Sequence, residues 1–185
     1  MKNLDLELKI RPASKEDAGL IAKVVAAAIN TEEGYALLPV FRELAEMENS
    51  QYSYKNALVA EVCGESVGAV VGYDGAKLQE LRHSLLALYQ ERFGKKLEIE
   101  EETSAGEFYI DSISVLPEFR GKGIGKTLLK LFENEAIKLR KVVVEGKFYP
   151  ETNGEYVRRF YESSGYSIEK EGYETELYKV LKLKH

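Results

Sequence analysis

The residues with the clearest chemical potential lie in a glycine-rich turn over residues 120–126, with the sequence Arg-Gly-Lys-Gly-Ile-Gly-Lys. Residues 108–115 before the turn are aromatic and β-branched and contain no Gly or Pro, which predicts a strand. After the turn, Leu128, Leu131 and Phe132 follow helical spacing and predict an amphipathic helix. A turn that opens a helix offers free N–H groups and the positive end of the helix dipole, and glycines let an anion approach them. The sequence therefore predicts a phosphate-binding site at this turn.

Two common phosphate-binding patterns do not fit the turn. A Walker loop requires a glycine where this chain has Arg120. A dinucleotide-binding Gly-x-Gly-x-x-Gly pattern requires a third glycine where the chain has Lys126 or Leu128, depending on the glycine from which the pattern starts. An ordinary structural turn without a ligand is the plainest remaining alternative.

A third pattern fits. Arg120-x-x-Gly123-x-Gly125, placed directly after the strand, resembles the acyl-CoA-binding motif of the GNAT (Gcn5-related) N-acetyltransferases. In that family the amides of this turn hold the pyrophosphate of acetyl-CoA, and the end of the preceding strand pairs its backbone with the pantetheine arm. The resemblance implies acetyl-CoA as co-substrate. The residues that it assigns to cofactor binding here are Ile113, Ser114, Val115, Arg120, Gly121, Lys122, Gly123, Ile124, Gly125 and Lys126.

A second segment supports the same resemblance. The pattern Phe160-Tyr161-x-x-x-Gly165-Tyr166 is similar to the aromatic pair and the Gly-aromatic pair that form the second landmark of the family. Tyr161 occupies the position of the family's general acid, and a phenol with a pKa near 10 can protonate a departing thiolate. Packing alone is the alternative role for Tyr161. Asn153 resembles the asparagine that precedes this helix, and both residues are assigned to the cofactor site.

The catalytic base has several candidates. Asp111 lies on the predicted central strand, where some GNAT enzymes carry a carboxylate that works through a water. By strand alternation we expect it to share a face with Tyr109, Ile113 and Val115. A carboxylate on a sheet covered on both faces needs a partner or water, so a structural hydrogen bond is an equal alternative to catalysis. Glu107 is the second candidate for the base, and water alone is the third.

The elements that position these residues predict one α/β domain over residues 1–185. Hydrophobic patterning predicts helices around residues 20–28 and 37–47 and a β-hairpin over residues 57–73. A parallel strand, a helix and a closing hairpin follow the turn. The resemblance implies a GNAT-type mixed, twisted sheet of about six to seven strands with helices on both faces. It also implies that the sheet is splayed near Val115 to admit the cofactor.

An insertion at about residues 75–106 interrupts this pattern. It consists of an amphipathic helix over residues 76–93 and a polar, acidic segment before the central strand. Three uses stay open: a lid over the acceptor, a homodimer interface, or a helix packed on its own domain. The acidic residues 98–102 favour a cationic acceptor, with an ordinary solvated face as the alternative. His83 has no second His or Cys nearby, so we predict no metal site.

Composition argues against several function classes. The 185 residues carry a formal net charge of −5, which disfavours nucleic-acid binding because that binding depends on neutralising phosphates. No apolar run has the length of a membrane span, and the N-terminus lacks an apolar signal core. Cys63 is the only cysteine, which excludes an intrachain disulfide and fits a reducing cytoplasm. We therefore predict a cytoplasmic protein.

Together with the resemblance, these observations predict an acetyl-CoA-dependent N-acetyltransferase that moves an acetyl group to a primary amine by direct attack in a ternary complex. A polyamine or other small amine, an aminoglycoside-like compound and a protein N-terminus stay open as acceptors. The alternative is a non-catalytic acyl-CoA-binding or sensory module on the same fold, which would bind CoA without turnover. A dimerisation or scaffold domain without CoA affinity is the third hypothesis.

Overall fold

A computed structural model describes residues 7–136, 141–146, 154–170 and 175–180. These ranges form a seven-stranded sheet in the order β1-β2-β3-β4-β5-β7-β6. The strands are β1 (Leu8–Pro12), β2 (Ala57–Val62), β3 (Glu65–Asp74), β4 (Phe108–Val115), β5 (Lys141–Gly146), β6 (Ser167–Lys170) and β7 (Thr175–Val180). The helices are α1 (Ala18–Ile29), α2 (Glu32–Ala36), α3 (Leu38–Glu46), α4 (Leu78–Phe93), α5 (Ile124–Glu135) and α6 (Gly154–Glu162).

The sheet is mixed, and helices cover both of its faces. Strand β4 is antiparallel to β3 and parallel to β5, and the other neighbouring strands are antiparallel. Helices α5 and α6 supply the core of one face, whereas α1, α3 and α4 supply the core of the other. The predicted fold class is therefore confirmed. None of the described helices has the length and apolar character needed to cross a membrane.

Strand β3 lies in the middle of this arrangement and is buried on both faces. Its residues from Val67 to Tyr73 are all buried. Val70 packs in the same core as Leu128 of α5, whereas its neighbour Val71 packs in the core that contains Ile21 of α1. A strand covered on both faces is expected to be apolar along its whole length instead of alternating, as this one is.

Helix α4 packs on the face that carries α1. It buries a stripe of leucines, namely Leu78, Leu81, Leu85 and Leu88. The first two contact a small cluster around Tyr73 and Tyr109, and the last two join the core of α1 and α3. The helix ends at Gly94, whose φ of 63° is the left-handed conformation that glycine adopts at helix ends.

A buried ion pair ties α5 to β7. The Nζ atom of Lys179 lies 2.9 Å from Oε2 of Glu133, and it also donates to the carbonyl of Ser164 at 2.7 Å. The Tyr166 hydroxyl donates to Oε1 of Glu133 at 3.1 Å. Glu133 is only 8% exposed. A carboxylate at that depth needs its charge compensated, so these contacts hold the end of α5 against the last described strand.

Strand β4 contains a β-bulge at Asp111. Val71 of β3 pairs with Ser112, whereas the next residue, Gly72, pairs with Ile110. Asp111 is therefore an extra residue with no partner on β3. A bulge of this kind bends the strand and increases its local twist.

The bulge changes which side chains share a face. Tyr109, Asp111 and Ser112 line one cavity on the α1 side of the sheet. Ile113 and Val115 pack against the core on the opposite side, with α5. The prediction that Asp111 shares a face with Ile113 and Val115 is wrong, because strict alternation fails where a strand carries an extra residue.

Gly72 lies opposite the bulge, where a side chain has no room. A Cβ atom at this position would lie 2.3 Å from the Tyr109 carbonyl oxygen and 2.7 Å from the Phe132 ring. We expect Gly72→Ala to lower the free energy of unfolding by about 2–3 kcal/mol, since the strands must separate to admit the methyl group. Urea unfolding followed by circular dichroism measures this change.

Gly19→Ala is the matched control. Gly19 lies in the first turn of α1, and a Cβ atom there would meet nothing within 4 Å. Alanine should therefore raise the free energy of unfolding by about 0.5–1 kcal/mol. Equal stabilities of Gly72→Ala and the wild type would contradict the close approach of β3 and β4.

Candidate active site

The edge of β4 that faces β5 is free over most of its length. The two strands pair only through Phe108–Val142 and Tyr109–Val143. Within the described ranges, residues 110–115 therefore have no strand partner on this side, although β3 pairs with β4 as far as Val115 on the other side. The sheet is open near Val115, and the N–H and C=O groups along this edge can pair with an extended ligand.

The glycine-rich turn presents free amides at the end of this open edge. The amide of Arg120 bonds to Pro117, and that of Thr127 bonds to Gly123. In the described part of the chain, the amides of residues 121–126 donate to no backbone acceptor. Gly121 and Gly123 adopt φ values of 74° and 80°, and a Cβ atom at either would point into open space. Free donors beside open space at a helix N-terminus form a cradle for an anion.

The helix begins inside the predicted turn. Gly123 is the N-cap and α5 starts at Ile124, so the last residues of the turn belong to the first helical turn. The guanidinium of Arg120 folds back, and its Nε atom donates to the carbonyl of Val115 at 2.8 Å. Lys122 places its ammonium 5.0 Å from the centre of the Phe119 ring. The end of β4 and the cradle are thus joined directly through Arg120.

The aromatic pair of α6 packs beside the cradle. A Cβ atom on Gly125 would lie 3.3 Å from the Phe160 ring, so glycine allows the close approach of α5 and α6 at this point. The ring of Tyr161 lies edge-on to the rings of Phe160 and Tyr166, at 5.2 and 5.3 Å between centres. Phe160 therefore packs directly against the turn, and Tyr161 follows it on α6 with its ring in contact with that of Phe160. Asn153 lies outside the described residues.

Tyr161 is buried, and its surroundings favour the protonated phenol. Burial raises the pKa of its hydroxyl above the usual value, and the negative charge of Asp111 adds to the shift. The two predicted catalytic residues therefore interact electrostatically across β4, because the charge of Asp111 contributes to the raised pKa of Tyr161. A tyrosine in this environment can donate a proton but does not ionise at neutral pH.

Asp111 is half-buried at the floor of a cavity. The Ser112 hydroxyl donates to its Oδ1 atom at 2.7 Å. Burial raises the pKa of Asp111 to about 6, although the Ser112 hydroxyl, the Gln51 amide and the charge of Arg82 act to lower it. The carboxylate is therefore ionised at neutral pH and still basic enough to accept a proton.

Glu107 is engaged elsewhere and does not line the cavity. Its carboxylate forms an ion pair with Lys141 at 2.9 Å and accepts a hydrogen bond from the Ser104 amide at 3.1 Å. Although burial acts to raise it, these contacts hold the pKa of Glu107 below its usual value. Glu107 thus anchors the segment before β4, and the structure does not bring it together with Asp111.

The cavity above Asp111 has a volume of about 450 Å³. Helix α1, the segment after α3, the acidic segment after α4 and strand β4 form its walls. The lining residues are Val25, Ala28, Ile29, Gln51, Tyr52, Glu98, Ile99, Glu100, Glu102, Tyr109, Asp111 and Ser112. The cavity therefore combines an apolar wall with a concentration of carboxylates.

The acidic wall is held in place by a buried arginine on α4. Arg82 is 3% exposed, pairs with Glu102 and donates to the carbonyl of Ile99. The Tyr73 hydroxyl donates to the other oxygen of Glu102 at 3.0 Å. The insertion thus contributes its helix to the core and its acidic segment to the cavity.

Sequence reasoning missed Gln51, Ser112 and Arg82. Arg82 carried a detectable signal, because it interrupts the buried leucine stripe of α4 and lies before an acidic run that could supply a partner. Gln51 and Ser112 carried none, since the first lies in an irregular segment and the second is brought to the cavity by the bulge. Among the described residues, no group of His, Cys, Asp and Glu could hold a metal ion.

Solved structures share this architecture. An acetyltransferase whose crystal structure is known is 27% identical, with a TM-score of 0.72 over 94% of this chain and 100% of that one. An N-acetyltransferase from Staphylococcus aureus Mu50 is 22% identical, with a TM-score of 0.74 over 94% and 100%. The PaiA N-acetyltransferase from Thermoplasma acidophilum, solved in complex with coenzyme A, is 17% identical, with a TM-score of 0.61 over 95% and 100%.

The sequence comparison points to the same family. The comparison with curated proteins found no match. The family profile described as acetyltransferase (GNAT) domain matches residues 53–168, which include both β4 and the glycine-rich turn. Because this match covers more than half of the chain, the protein belongs to the GNAT acetyltransferase family.

Proposed function

We propose that the protein transfers the acetyl group of acetyl-CoA to a primary amine by direct attack in a ternary complex. The observation that carries the proposal is the arrangement along β4. The anion cradle lies at the end of this strand, the unpaired edge runs back from it, and Asp111 opens into a cavity on the other face. A donor and an acceptor can therefore meet at one strand from opposite sides.

The described residues fit the CoA donor, which supplies an acetyl group activated as a thioester. The free amides of residues 121–126 match a diphosphate, which accepts several hydrogen bonds and favours the positive end of a helix dipole. The open edge at Ile113, Ser114 and Val115 matches the amide groups of an extended pantetheine arm. The coenzyme A complex of the PaiA relative supports the same assignment.

Asp111 and Tyr161 divide the proton transfers. Asp111 takes a proton from the acceptor's ammonium, directly or through a water, which leaves a neutral amine. The amine nitrogen forms a bond to the acetyl carbon while the carbon–sulfur bond breaks. Tyr161 gives its proton to the departing sulfur, the new amide loses its surplus proton to the solvent, and the proton held by Asp111 returns to Tyr161 through the solvent. The net products are an acetylated amine, free CoA and one proton.

The first test combines calorimetry with an acceptor screen. Titrations with acetyl-CoA, CoA and ATP should show binding of both CoA species and no binding of ATP. Free thiol released in the presence of an amine panel then reports turnover. Binding of CoA without turnover on any amine would favour the acyl-CoA-binding module, and the absence of CoA binding would contradict the proposed function.

Gly123→Asp tests the cradle. A carboxylate at this position enters the space of the diphosphate, so we expect acetyl-CoA affinity to fall at least about a hundredfold by calorimetry. Gly106→Asp is the control, because Gly106 has a similar positive φ of 94° and open space around it but precedes β4. If both variants bind acetyl-CoA as the wild type does, the turn does not bind the cofactor.

Asp111→Asn tests the base. The wild type should show an acidic limb in kcat/KM with an apparent pKa of about 6, because only the ionised carboxylate accepts a proton. The variant should lose this limb, and its kcat should fall by about a hundredfold or more. An unchanged pH profile in the variant would assign the proton transfer to water or to another group.

The same variant should be more stable than the wild type. The folded-state pKa of Asp111 lies above its ordinary value of 3.8, so its contribution to stability is lost as pH rises from about 4 to about 6. We expect Asp111→Asn to raise the free energy of unfolding at neutral pH by about 1–3 kcal/mol, with a smaller gain near pH 4. Urea unfolding at both pH values measures the difference. A variant less stable than the wild type at neutral pH would contradict the conclusion that the ionised Asp111 carboxylate destabilises the folded protein.

Tyr161→Phe tests the acid. We expect kcat to fall by about tenfold to a thousandfold while acetyl-CoA affinity stays close to that of the wild type, since the ring and its packing are retained. Tyr156→Phe on the same helix is the control, because Tyr156 is 64% exposed and outside the site. Full activity of Tyr161→Phe on every accepted amine would reduce Tyr161 to a packing role.

A further inference from the structure

The inference starts from a buried acceptor atom beside Asp111. Gln51 is 3% exposed and lines the cavity. Its Oε1 atom is buried and has no hydrogen-bond partner among the described residues. Buried side-chain oxygens are almost always paired, so an unpaired one at a cavity marks a place for a donor that the ligand brings.

The orientation of this amide follows from its neighbours. Gln51 helps to lower the pKa of both Asp111 and Tyr52, which is the effect of a hydrogen-bond donor and assigns the NH₂ group to these neighbours. The reverse orientation would place the carbonyl oxygen against a carboxylate. Asp111 and Gln51 together therefore offer acceptor oxygens to one group that carries several N–H donors. A primary ammonium meets this requirement, with three donors and no acceptor.

The cavity wall next to this pair is apolar. Val25, Ala28 and Ile29 come from α1, and Ile99 comes from the acidic segment. Ile29 and Ile99 remain 44% and 42% exposed, although the other large apolar side chains of α1 are mostly buried. These side chains suit a hydrocarbon chain that leads from the ammonium towards the solvent.

Two carboxylates along the wall remain uncompensated. Of the four acidic residues in this segment, Glu101 accepts a hydrogen bond from Gln79, and Glu102 pairs with Arg82. Glu98 and Glu100 also line the cavity, and neither forms an ion pair with a described residue. Both are exposed, which places their charge towards the mouth of the cavity.

We infer that the acceptor is an aliphatic diamine. Its reactive ammonium lies beside the Asp111 carboxylate and the Gln51 Oε1 atom, its hydrocarbon chain lies along the α1 wall, and its second ammonium lies near Glu98 and Glu100. This inference rests on the proposed function and narrows its acceptor from amines in general to this class. Both amines are protonated at neutral pH, so a diamine satisfies both acidic ends of the cavity at once.

Three acceptors with the same carbon skeleton test the inference. Cadaverine carries two ammonium groups, pentylamine carries one, and aminovalerate replaces the second with a carboxylate. We expect kcat/KM for cadaverine to exceed that for pentylamine by about tenfold, with aminovalerate the poorest of the three. The advantage of cadaverine should shrink at high ionic strength, since exposed charges are screened.

Variants of the acidic segment identify the source of this preference. Glu98→Gln combined with Glu100→Gln should bring the kcat/KM ratio of cadaverine to pentylamine close to one. Glu101→Gln is the matched control, because Glu101 lies on the same segment but does not line the cavity, and it should keep the wild-type ratio. A double variant with the wild-type ratio would overturn the role of these carboxylates.

Gln51→Met tests the inner end of the cavity. We expect KM to rise about tenfold for cadaverine and pentylamine alike, because both present the same reactive ammonium. Unchanged acetyl-CoA affinity by calorimetry shows that the variant is folded, and an unchanged KM in such a variant would overturn the assignment.

The outcomes separate this inference from the proposed function. Equal kcat/KM for the wild type on cadaverine and pentylamine would overturn the diamine and leave acetyl transfer intact. Binding of acetyl-CoA and turnover on another amine, without acetylation of cadaverine, would also overturn the diamine and leave acetyl transfer intact. Only the loss of acetyl-CoA binding, or of turnover on every amine, would contradict the function itself.

Discussion

The site depends on strand β4, which is paired along one edge and, among the described residues, free along most of the other. Pairing between β4 and β5 ends at Tyr109, and the bulge at Asp111 follows almost immediately. A bulge bends a strand and increases its twist, which turns the rest of β4 away from its parallel neighbour. The same extra residue places Asp111 and Ser112 on the α1 face. The bulge thus opens the edge of β4 towards β5 and places a carboxylate on the face of the sheet that carries α1.

The opposite edge of β4 is held unusually close to β3. Cβ atoms on Gly68 and Gly72 would lie 2.9 and 2.3 Å from carbonyl oxygens of β4, so glycine at both positions lets the strands approach. Tight pairing on this edge fixes the position of β4 although its other edge is free. Pairing with β3 therefore holds the open edge in an extended conformation, so a ligand that pairs with it does not have to order the strand first.

The sequence allowed the elements and the cradle to be predicted but not the cavity. Strand β4 and the turn were predictable because aromatic and β-branched residues, glycines and helical spacing are local signals. Alternation correctly grouped Asp111 with Tyr109 but wrongly added Ile113 and Val115, since nothing in the strand itself marks the bulge. Gly72 is the only hint, because a glycine inside a strand often marks a bulge or a close approach. The grouping of Gln51 with Asp111 depends on tertiary packing and has no local pattern.

The ion pair between Glu133 and Lys179 has a consequence for synthesis of the chain. Helix α5 carries the cradle, yet the charge that compensates its buried carboxylate comes from β7. A nascent chain that ends before Lys179 leaves Glu133 without this counter-charge, which opposes docking of α5 on the sheet. Glu107, just before β4, depends in the same way on Lys141 of β5 for its counter-charge. The chain must therefore be translated through β7 before α5 can dock on the sheet with its buried carboxylate compensated.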